Sequence, residues 1–132
     1  MKRVALAASV GVALAAASVA PAATTLSGTY RTTITSTALR GEVKGPWTVK
    51  FSGGVITAAK NGTVATRGNY SISGSRITLR ATPGQDRCTV VSVYKFTLSG
   101  ARLRFTLISG TGSSPSCEAR QIVLAGSFTK VG

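Results

Sequence analysis

From Gly28 to the C-terminus, apolar and polar side chains alternate with a period of two over short stretches broken by Gly, Ser, Asn and Pro. That period belongs to half-buried strands, not helices. It predicts eight of them: Thr29–Thr37, Trp47–Ser52, Val55–Lys60, Thr63–Ser73, Arg76–Thr82, Thr89–Ser99, Arg102–Ser109 and Ala119–Thr129. Asn61-Gly62 and the Ser-Gly pairs at 52–53, 73–74 and 99–100 read as hairpin turns, where one or both residues need positive φ. Two echoing segments, Ile72 to Ile77 and Leu98 to Leu103, are two hairpins of one meander.

Parity assigns the faces. Tyr30, Ile34, Trp47, Val49, Phe51, Tyr70, Ile72, Ile77, Leu79, Tyr94, Phe96, Leu98, Leu103, Phe105, Leu107, Ile122, Leu124 and Phe128 fall on one side of their strands, and this set contains all eight aromatic residues. Arg31, Lys50, Arg67, Arg76, Arg80, Lys95, Arg102 and Arg104 fall on the other. One face is a core and the other is wet and basic. The expected fold is all-β: an eight-stranded antiparallel up-and-down barrel, which leaves no open edge. An immunoglobulin-like sandwich is the rival, but it wants a Trp between two distant Cys, and Trp47 precedes both cysteines. A meander gathers the Ser-Gly turns at one end. Asn61-Gly62 and the long segments 38–45, 83–87 and 110–116 gather at the other.

The first residues have a different pattern. Lys2 and Arg3 precede an apolar run from Val4 to about Ala17, then Ala20-Pro21-Ala22. This is the form of a signal peptide, residues 1–22, cut after Ala22; the run is too short and Ala-rich for a membrane anchor. The mature chain, residues 23–132, is then a single domain of 110 residues, secreted or otherwise extracytoplasmic and without a transmembrane segment. Export bears on Cys88 and Cys117. They are the only two cysteines, so one disulfide is expected, with its connectivity forced. Strands two apart lie about 9.6 Å from each other, so the bridge must run through loop-side residues.

Charge changes the picture in two ways. The chain has 16 Lys and Arg against 3 Asp and Glu and no His, and the mature part carries a net +11. Without His, the usual general base and the commonest metal ligand are missing, and Glu42, Asp86 and Glu118 are the only side-chain carboxylates. No nucleophile elbow, phosphate loop or Cys-x-x-Cys is present. The chain is expected to be no enzyme and to need no cofactor or metal. A basic exterior raises the prior for anionic partners. Yet inward aromatics leave none to stack on bases, which argues against specific nucleic-acid binding. The sequons at Asn61 and Asn69 are better explained as a hairpin turn and a strand position.

The candidate site lies at the loop-rich end, where all three acids also fall. Arg120 shares the inward parity of Ile122, Leu124 and Phe128, so it points into the mouth. Trp47 opens the second strand at the same level, and Thr66 and Ser92 share the inward parity nearby. An aromatic wall, two hydroxyls and one cation make a small ligand-binding pocket for an amphipathic or anionic molecule. The alternative has Arg120 snorkelling outward or pairing with Glu118 or Asp86. Tyr30, Phe51, Tyr70, Phe96 and Phe128 read as packed core filling the lower barrel.

Gly28-Thr29-Tyr30 at the first strand, the leader, the eight alternating strands and the contrast between the two ends resemble lipocalin-like (calycin-type) barrels, in particular the small secreted ones of bacteria. The family's Gly-x-Trp has Tyr30 in place of Trp, its terminal basic residue has Lys130 as nearest candidate, and its final helix has no counterpart after the last strand. The resemblance implies a ligand in the cup of a monomeric barrel. A second function class remains open: a protein-interaction barrel acting through its long loops, as an inhibitor of a secreted hydrolase or a cationic component bound to an anionic envelope polymer.

Overall fold

The computed structural model describes residues 25–82, 84 and 87–132. The expected leader and its cleavage site, like Asp86, lie outside the described residues. Eight strands form one closed antiparallel barrel in which each strand pairs with its sequence neighbours and the last returns to the first. They are β1 (Gly28–Ile34), β2 (Gly45–Ser52), β3 (Val55–Lys60), β4 (Thr63–Ser73), β5 (Arg76–Ala81), β6 (Ser92–Ser99), β7 (Arg102–Ser109) and β8 (Ser127–Val131). A short 3-10 turn, Leu39–Gly41, lies between β1 and β2.

The alternation read from the sequence is the alternation of the wall. Tyr30, Val49, Phe51, Ile77, Leu79, Tyr94, Phe96, Leu103, Phe105 and Phe128 are buried. The eight outward cations are all exposed. Phe105 is the hub of the ring cluster, 5.8 Å from Phe128, 6.1 Å from Tyr94 and 6.3 Å from Phe51 between centroids. Phe51 in turn meets Tyr30 and Tyr70 edge-on. Edge-to-face rings fill space without stacking their like-charged faces. Leu26 is buried before β1, and its carbonyl accepts from Tyr70 Oη at 3.3 Å, so the chain itself closes the tight-turn end.

One expected element is wrong. The segment Ala119–Thr129 is not a strand. It belongs mostly to a helix, α1 (Pro115–Leu124), and β8 begins only at Ser127. Ser114 is the N-cap, its hydroxyl accepting from Cys117 N, and Pro115 occupies the first turn where no N–H is needed. The buried residues of α1 are Cys117, Val123 and Leu124, a helical spacing. Arg120, Ile122 and Leu124 also alternate, so the strand reading fitted the same letters. The docking of α1 against the barrel decides between them. The first and sixth strands are also shorter than expected, ending at Ile34 and starting at Ser92. Leu98, expected inside, is 39% exposed at the rim of the closed end.

Cys88 and Cys117 form a disulfide with a Cα separation of 4.7 Å, joining the β5–β6 connection to α1. No helix among the described residues is long and apolar enough to cross a membrane.

Candidate functional site

Pairing stops early around the loop-rich end. β4 meets β5 only from Gly68 downward, and β5 meets β6 only over Arg76 to Leu79. Among the described residues, the upper part of β4 therefore has no strand beside it on that side. A bulge at Ala58/Ala59 leaves Ala65 unpaired with β3, so Ala65 and Thr66 both face inward. Above, α1 lies across the barrel end.

A cavity of about 370 Å3 occupies the space so left. β2 to β5 supply Trp47, Val49, Ile56 and Leu79, with the small side chains of Ala58 and Ala65 and the bare backbone of Gly68 making room. Val123, Leu124 and Ala119 of α1 form the roof. The polar groups sit at the margin: Thr66, Arg80, Arg87, Ser116 and Arg120. Arg80, Gly84 and Arg87 are exposed, so the cavity reaches solvent on their side. No carboxylate lines it among the described residues.

Three of the four expected site residues, Trp47, Thr66 and Arg120, line this cavity, and Ser92 does not. Trp47 is buried and donates from Nε1 to Val43 O at 2.8 Å, which fixes the ring as a wall. Thr66 is half-buried at the bulge. Arg120 is carried by α1, so its inward aim comes from helix docking and not from strand parity. Its Nη2 donates to Val90 O and to Ser92 Oγ, both at 2.6 Å. Ser92 is fully buried and passes the bond on, donating from Oγ to Gly110 O at 2.8 Å. Ser92 is thus a bracket between α1, β6 and the end of β7, and one Arg120 nitrogen is engaged in structure.

The sequence reading missed Arg80, Arg87 and the whole roof. Ser114-Pro115 was a helix-start signal for the roof. The small inward residues Ala58 and Gly68 were the signal for the space, since an inward position without bulk leaves a void or a ligand.

Tyr94 lies beside Arg120. Burial pushes its phenol above the ordinary value of 10.0, and the Arg120 charge pulls it partly back. Its Oη is buried without a hydrogen-bond partner among the described residues. Removing an unsatisfied buried hydroxyl costs little. Tyr94→Phe is therefore expected to leave stability unchanged or raise it by up to about 1 kcal/mol in urea denaturation. Tyr30 is raised by burial too. A phenol whose pKa is higher in the folded state gives stability that is kept below the unfolded pKa and lost above it. Stability should fall as pH rises through 10, and Tyr94→Phe should flatten that fall.

No group of His, Cys, Asp or Glu among the described residues could hold a metal ion. No family model, curated protein or solved structure matches the chain.

Proposed function

We propose that the chain is an exported, monomeric, lipocalin-like barrel that binds a small amphipathic anion beneath α1 and catalyses no reaction. The cavity carries this reading: an apolar interior under a cationic margin with no described carboxylate. Its volume lies at the lower end of the usual range for small-molecule sites, about 300–1,000 Å3, so the ligand is small. The apolar body would lie between Trp47, Ile56, Leu79 and Val123, with the anionic head toward Arg80 and Arg87. Both are exposed and can turn to meet it. Arg120, partly engaged with Val90 and Ser92, adds a fixed positive field. The protein-interaction alternative expects a filled barrel, and the cavity favours the binder.

Trp47 is the only tryptophan, so its emission reports the site. Titration with medium-chain and aryl carboxylates is expected to shift that emission. Arg87→Ala should weaken binding about tenfold, the loss of one charge-assisted hydrogen bond, with the fold intact. The uncharged alcohol of the same ligand should bind more weakly to wild type and be indifferent to Arg87. A flat emission response across the panel would end this reading.

A further inference from the structure

Outward cations occur on most strands, and the strand register brings them closest together from β5 round to β1. Arg76 of β5 lies directly opposite Lys95 of β6. On β7, Arg104 faces Thr97, one outward position along from Lys95, and Arg102 faces Ser99. Across β8, Thr129 is opposite both Arg102 of β7 and Arg31 of β1, which places those two about 9.6 Å apart. Five exposed cations thus share one contiguous wall made by five adjacent strands, β5 to β8 and β1. The two described carboxylates, Glu42 and Glu118, are both at the opposite, loop-rich end, next to the 3-10 turn and in the first turn of α1. No described acid offsets the charge of this wall. Like charges facing each other across a ladder, as Arg76 and Lys95 do, work against the fold. A bound polyanion would relieve that repulsion.

The remaining chemistry narrows the anion. The outward positions between the cations are hydroxyls: Thr97, Ser99, Thr106, Ser127 and Thr129. Arg takes phosphate bidentately, and Ser and Thr add neutral donors to phosphate oxygens. All eight aromatics are buried or half-buried, so the wall has no stacking platform for bases, and α1, the helix that a groove would take, is at the other end. A flat bilayer touches a convex barrel along a line, and the exposed apolar side chains nearest these cations, Leu98 and Val131, stand at the tight-turn rim of the wall. A flexible chain can follow the curve.

We propose that the β5–β1 wall docks a flexible phosphate-bearing polymer of the cell envelope, independently of the cavity at the other end. The test titrates the mature chain with polyglycerol phosphate over a range of salt, with anionic phospholipid vesicles and duplex DNA as parallel arms at matched phosphate. A quadruple variant, Arg76→Ser, Lys95→Ser, Arg102→Ser and Arg104→Ser, is compared with one of equal net charge altered elsewhere: Arg40→Ser, Lys44→Ser, Lys60→Ser and Arg67→Ser. Wild type is expected to bind the polymer with log K falling linearly in log salt. The wall variant should bind at least about tenfold more weakly near 0.1 M salt, with a slope shallower by about three, while the control stays within about threefold. Because the wall variant removes the Arg76–Lys95 repulsion, it should melt no lower than wild type. Should it fail to fold, Arg102→Ser and Arg104→Ser singly should each weaken binding about twofold or more. Equal losses in wall variant and control, tighter binding to vesicles or to DNA, or binding insensitive to salt would each overturn the proposal.

Discussion

Gly110→Ala is expected to be among the most damaging single substitutions in the chain, with a loss of about 3–6 kcal/mol. Two separate costs add. The backbone at Gly110 has φ +90°, a conformation that L side chains rarely adopt. A Cβ built there would also lie 2.1 Å from Val91 O and 2.6 Å from Ser92 Cα, both backbone atoms of the neighbouring segment. No rotamer change relieves a collision with backbone, so the ends of β6 and β7 must part. Parting them pulls Gly110 O away from Ser92 Oγ, and with it the acceptor that holds Arg120 and α1. Gly100→Ala is the control: φ is +60° there, with nothing within 4 Å of the new Cβ, so it carries the backbone cost alone. Urea denaturation should place Gly100→Ala about 1 kcal/mol below wild type and Gly110→Ala several further below. Equal midpoints for the two variants would show that the close approach at Gly110 has no energetic weight.

The strands were legible because each tests its own pattern several times. β7 repeats Leu103, Phe105, Leu107 against Arg102, Arg104, Thr106, and one slipped residue would bury the arginines. The disulfide was legible because two cysteines allow one pairing. Residues 119–129 were misread for a related reason: a stretch that short satisfies two periods at once. Arg120, Ile122, Leu124 and Phe128 alternate, while Cys117, Val123 and Leu124 follow a helical face. The periodicity alone cannot choose between them; the Ser114-Pro115 start signal and the docking of α1 over the cavity do. Arg120 reached the mouth on either reading, for different reasons. Ser92 is inward and beside Arg120, as parity predicts, but its hydroxyl is spent between Arg120 and Gly110 and does not line the cavity. The cavity itself was not legible, since it depends on where pairing between β4, β5 and β6 stops and on which inward positions lack bulk. Reading for aromatics and charges passes over Ala58, Ala65 and Gly68.

Removing the disulfide is expected to cost about 3–4 kcal/mol, the chain-entropy value for a loop closed over 29 residues. In a domain of this size, whose total stability is on the order of 5–15 kcal/mol, that is a large fraction. The loss should also be local in character. α1 makes few contacts with the strands, mainly with β7. It is held by the Ser114 cap, the Arg120 bonds to Val90 and Ser92, and the covalent link from Cys117 to Cys88. Gly112 packs so closely on that link that a Cβ there would lie 2.6 Å from Cys117 Cβ and Sγ, so the segment before α1 is moulded to the bridge. Without the bridge, the roof and the margin of the cavity at Gly84 and Arg87 are no longer tied together, while the ring cluster around Phe105 is untouched. In the double variant Cys88→Ser, Cys117→Ser, amides of α1 should exchange with solvent at least about tenfold faster than in wild type, by an excess over the change in β2 and β7. Carboxylate binding reported by Trp47 should weaken with it. Uniform acceleration across barrel and helix would mean that the bridge stabilises the fold as a whole and does not specifically hold the roof.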